Sequence, residues 1–65
     1  MKTIRSPVMR MATVQDYKIG QVLITARNKE ITITYPYDIG SWWAEYEGEK
    51  IVVFESHKDM YRVRE

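Results

Sequence analysis

The chain has no cysteine among its 65 residues, which excludes a disulfide framework, a thiolate metal site and a cysteine nucleophile. A chain without thiols suits a reducing compartment, so the cytoplasm is the expected location. Histidine occurs once, at His57, and serine only at Ser6, Ser41 and Ser56. Nucleophile, base and orienting group cannot be assembled from that set, so no catalytic residue is assigned and an enzyme is not expected. A metal site is not expected either, because Glu45, Glu47 and Glu49 alternate outward as a solvated face would. Three scattered glycines form no phosphate-binding loop, and no cofactor is implied. Long apolar runs are also missing: Lys2, Arg5, Pro7 and Arg10 interrupt "MKTIRSPVMRMATV", which therefore reads as neither a signal-peptide core nor a membrane span.

Net charge is only +1, but its two signs are segregated. Residues 1–29 carry Lys2, Arg5, Arg10, Lys18, Arg27 and Lys29 against Asp16 alone, whereas the remainder holds eight acids and four bases. The basic segment is suited to a phosphate backbone or an acidic partner surface. Nucleic-acid binders use roughly six to ten phosphate contacts, however, so the same distribution also fits simple self-complementarity across the fold.

Polarity with a period of two returns in segment after segment, and a helical stripe is hard to find. No repeat or linker divides the chain, so a single domain over 1–65 is expected, with residues 1–7 as an N-terminal arm. "VMRMATV" opens it as a strand. In "QVLITAR", Val22, Ile24 and Ala26 share a face, with Leu23 out of pattern on the other. "EITITYP" sets Ile31, Ile33 and Tyr35 against Thr32 and Thr34, and Asn28–Lys29 join the two as a tight hairpin. Pro36 should end that strand, and "YDIG" leads to the next at Ser41. Gly48 reverses the chain so that "SWWAEY" pairs with "KIVVFE". Ser56 and Asp59 look like a capping box for one helical turn over 56–59, and "MYRVR" closes the fold as a strand.

Within "SWWAEY", alternation sends Trp42, Ala44 and Tyr46 to one face and Trp43, Glu45 and Glu47 to the other. Trp42 is thereby the core indole. Trp43, beside acids, is the candidate for contact, covering the sheet edge, stacking on a cation such as Arg27, or meeting a partner.

The order of these elements, carried by "IGQVLI", "GSWWAEYEGEKIVVFE" and "YRV", resembles the small barrels that include SH3 and Tudor domains. "ATVQDY" at 12–17 and the Trp42–Trp43 pair are the nearest equivalents of SH3 signatures. The resemblance implies an all-β, SH3-like barrel of five to six short antiparallel strands, a superfold that hosts protein binders, nucleic-acid binders and enzyme subunits alike. The connector after Tyr17 is too short for the acidic loop that SH3 domains use on proline-rich ligands. Likeness to Tudor domains implies an aromatic cage, for which Tyr35, Tyr37 and Asp38 beside Trp43 are the candidates. The brevity and isolated charge pattern also resemble compact effectors that phages and mobile elements aim at host proteins.

Three readings follow. The first is a protein-binding module or small regulatory protein contacting its partner through Trp43, Tyr37, Tyr46, Tyr35 and Asp38. The second is a nucleic-acid binder using Arg5, Arg10, Lys18, Arg27 and Lys29. The third is a structural subunit whose aromatic face or sheet edge is buried in a homo-oligomer.

Overall fold

A computed structural model describes residues 8–64; the expected arm and Arg5 lie outside the described residues. Six strands form one antiparallel sheet: β1 (Met9–Met11), β2 (Val22–Ile24), β3 (Glu30–Asp38), β4 (Ser41–Tyr46), β5 (Glu49–Phe54) and β6 (Arg62–Arg64). Their spatial order is β1-β6-β2-β3-β4-β5. A 3₁₀ turn at Val14–Asp16 follows β1, and a second at Glu55–Met60 lies between β5 and β6. The second turn touches both β1 and β5, so the curled sheet forms a half-barrel whose open side it spans. None of the described helices is long and apolar enough to cross a membrane.

The expected hairpins form, for local reasons. Tyr46 pairs with Glu49, leaving Glu47 (φ 51°) and Gly48 (φ 82°) as a two-residue loop. Positive φ at both residues is the type I′ geometry whose twist matches that of the flanking strands. Asn28 also adopts positive φ, 64°, but its loop is longer than a two-residue turn. Thr25 organises it by accepting, at Oγ1, the N–H groups of Arg27 and Lys29.

The concave side encloses Ala12, Tyr17, Leu23, Ile31, Ile33, Ala44, Val53 and Val63, all buried. Half-buried Trp42, Tyr46, Ile51 and Tyr61 pack around them. Leu23 is thus a core residue, contrary to the expectation from alternation. Ile24 is equally buried but lies outside that cluster. Both sides of β2 are covered, and a strand buried on both faces reads as a continuous apolar run rather than an alternating one. Tyr17 pins the half-barrel shut: its hydroxyl donates to the Phe54 carbonyl at 2.8 Å, 37 residues away in sequence. Burial is the main cause that pushes its phenol up to about 12.

Two other expectations fail. Pro36 does not end its strand; β3 continues to Asp38. The reason is that backbone bonding from β2 and from Gly20 and Gln21 before it reaches β3 only as far as Ile33, so the later half of β3 is open on that side, where a residue without an N–H is tolerated. The helical turn near 56–59 is present, but its N-cap is Phe54 and not Ser56. The capping carboxylate is found instead at the first turn, where Asp16 accepts from the Thr13 N–H at 2.8 Å and the Thr13 hydroxyl at 3.1 Å.

Candidate functional site

The convex side of β3, β4 and β5 carries an aromatic cluster that owes its existence to two irregularities. Ile33 pairs with Ala44, but Tyr35 pairs with Trp43, so β3 has one extra residue at Thr34. A second register shift lies between Pro36 and Asp38. In an uninterrupted strand Tyr35 would share the core face of Ile33, as the sequence pattern suggests. The bulge turns it over, because adding one residue exchanges the faces of everything that follows. Tyr35 is consequently 65% exposed and Tyr37 58%. The Tyr37 ring meets that of Trp43 edge to face, with centroids 4.9 Å apart, a favourable arrangement of ring quadrupoles.

Trp43 is half-buried beneath this cover. The cation over its ring is Lys50, with Nζ 6.0 Å from the centroid; Arg27 does not take that place. Cross-strand pairing explains the neighbours: Trp43 opposes Val52, and Glu45 opposes Lys50, so Lys50, Val52 and Phe54 extend the same face. Sequence reasoning missed these three, although the hairpin about Gly48 already implied the pairing. Trp42 points the other way, packs against the core and donates its Nε1–H to Glu55 at 3.0 Å.

The five expected contact residues therefore divide. Tyr35, Tyr37 and Trp43 come together. Asp38 stands at the β3–β4 turn, where its carboxylate accepts the N–H of Ile39 at 2.8 Å. Tyr46 is on the opposite side of the sheet from Trp43 and lines an open groove of about 800 Å³ with Met9, Ile24, Arg27, Met60 and Arg62.

Among the described residues, the expected basic side chains do not form one patch. Arg10 grips Asp16 through two nitrogens, each 2.8 Å from a carboxylate oxygen, and Asp16 is only 7% exposed. The guanidinium holds that carboxyl well below the usual carboxylate range. Lys29 pairs with Glu47 at 3.4 Å. Lys18 and Arg27 are exposed, but they precede and follow β2 at its opposite ends. Among the described residues, no group of three histidine, cysteine or acidic side chains is placed to hold a metal ion.

Comparison with protein-family models, with curated proteins and with solved structures finds no match to this chain.

Proposed function

We propose that the chain is a small non-enzymatic protein-binding module, built as an SH3-like barrel, that contacts its partner through Tyr35, Tyr37 and Trp43. The architecture supports the finer fold reading. The first strand pairs with the last, β3 to β5 form a meander, and a 3₁₀ turn leads into the closing strand.

The observation that carries the functional reading is the bulge at Thr34. It takes a tyrosine that alternation would bury and sets it, exposed, opposite an indole. Tyrosine and tryptophan supply large contact areas for the loss of few rotatable bonds, and both are enriched where interfaces concentrate their energy. Held on paired strands, these rings are ordered before a partner arrives, which reduces the entropy lost on binding. The basic residues support the nucleic-acid reading less well, because Arg10 and Lys29 already have carboxylate partners.

The test is affinity capture from host lysate with the immobilised chain and with a Tyr35→Ala/Tyr37→Ala double variant, both verified as folded. The reading predicts a specific partner retained by the parent chain and lost, at least tenfold, by the variant. Equal retention by both proteins overturns it.

A further inference from the structure

Among the described residues the sheet is open at β1, at β5 and along the later half of β3, and these edges are not equivalent. β1 and β5 end the strand order, and β3 is open beyond Ile33, the last residue bonded to the segment that leads into β2. Native sheets blunt such edges, because a row of unpaired backbone groups is a template for another chain. β1 is blunted by length, with three residues. The open half of β3 is blunted by Pro36 and by the register shifts on either side of it. β5 has neither device: its six residues contain no proline and pair with β4 in unbroken register from Glu49 to Phe54, and its outer edge is open from Lys50 up to Phe54, whose carbonyl already accepts from Tyr17.

We propose that β5 is a docking edge that accepts one extended segment of a protein partner as a seventh, antiparallel strand, with a carboxylate of that segment beside Lys50. The proposal rests on the binding-module reading above and gives it a recognition mode, since the added strand continues the face on which Trp43, Val52 and Phe54 lie. Main-chain hydrogen bonds supply affinity in this mode, and alternate side chains supply specificity.

Charge decides between a foreign strand and a second copy. Lys50 makes no ion pair among the described residues; its ammonium lies over the Trp43 ring, beside the cross-strand residue Glu45. In antiparallel pairing, directly opposite side chains share a face. Two-fold pairing of β5 with itself therefore sets even-numbered residues against even-numbered ones. Opposite Lys50 this offers Gly48, Val52, Phe54, Ser56 or another Lys50, whereas the nearby acids Glu47, Glu49 and Glu55 are all odd. A second copy brings no carboxylate to Lys50, and one register brings two lysines together. The same side chain that discourages self-pairing selects an acidic partner strand.

The probes are two capped eight-residue peptides of alternating valine and threonine, with glutamate or lysine at one central position. They are titrated into the isotope-labelled chain while amide shifts and hydrogen exchange are followed by NMR. The glutamate peptide should slow exchange at the outward-facing amides of Lys50 and Val52 and bind about fivefold more tightly than the lysine peptide. The surface substitution Lys50→Glu should reverse that order. No response to either peptide, or an order unchanged by Lys50→Glu, overturns the proposal. Shifts confined to Tyr35, Tyr37 and Trp43, with β5 exchange unaltered, overturn strand addition but leave the aromatic contact surface standing. Concentration-dependent self-association that protects the Lys50 and Val52 amides without peptide assigns the edge to a second copy and also overturns it.

Discussion

Replacing Asp16 with asparagine preserves its shape and removes its charge, and the consequences can be worked from the geometry. The carboxylate is buried, with two Arg10 nitrogens at 2.8 Å and the N–H and hydroxyl of Thr13 at 2.8 and 3.1 Å. Hydrogen bonds to a charged group contribute about 1.5–3 kcal/mol. The Arg10 side chain is 41% exposed, so solvent screens the pair and the low end of that range applies. Asp16→Asn should therefore cost about 1–2 kcal/mol at neutral pH. In a domain of this size that lowers Tm by roughly 5–15 °C. The folded carboxyl titrates below its ordinary value of 3.8. Its contribution is thus complete above that value and is lost as pH falls through the lower folded one. Urea unfolding at pH 6, 4 and 2.5 should show parent and variant converging as the solution is acidified. A gap that is the same at pH 6 and pH 2.5 refutes the argument that charge, rather than shape, makes Asp16 stabilising.

Other substitutions probe different parts of the fold. Glu47→Asn should raise stability by about 0.5–1 kcal/mol in thermal unfolding, because asparagine tolerates positive φ better than glutamate does and the exposed pair with Lys29 contributes little. Tyr17→Phe removes the donor to the Phe54 carbonyl and should cost about 1 kcal/mol. In the parent, the raised Tyr17 phenol means that the unfolded state ionises first, so stability should fall above pH 10 and tyrosinate absorbance should show a late step near 12. The two indoles should separate energetically: Trp42→Ala, which breaks core packing and the bond to Glu55, should cost about 3 kcal/mol, and Trp43→Ala about half as much. Denaturant titration followed by circular dichroism measures both.

Much of the fold was legible in side-chain alternation, and the exceptions share a physical origin. Alternation found the β4–β5 hairpin, its turn at Gly48, the reversal at Asn28 and the closing strand, because those segments bury one face and wet the other. It misplaced Leu23, where both faces of β2 are covered and the polarity signal vanishes. It also misplaced Tyr35, because a bulge shifts the phase of the pattern without changing the residues that compose it. Pro36 was a genuine signal of an interrupted ladder, but a register shift and a missing neighbour satisfied it without ending the strand. Of the site, Trp43 and its tyrosines could be nominated from residue type. Their separation from Tyr46 followed from alternation within β4 and required no further information.

The most direct test of the central claim, that the convex aromatic face is the contact surface, is hydrogen–deuterium exchange of the chain with and without its captured partner. The account predicts protection over 35–38 and along β4 and β5, with the loop carrying Arg27 and the turn carrying Lys18 unchanged. Protection confined to those basic segments and the groove beside Tyr46 would contradict it.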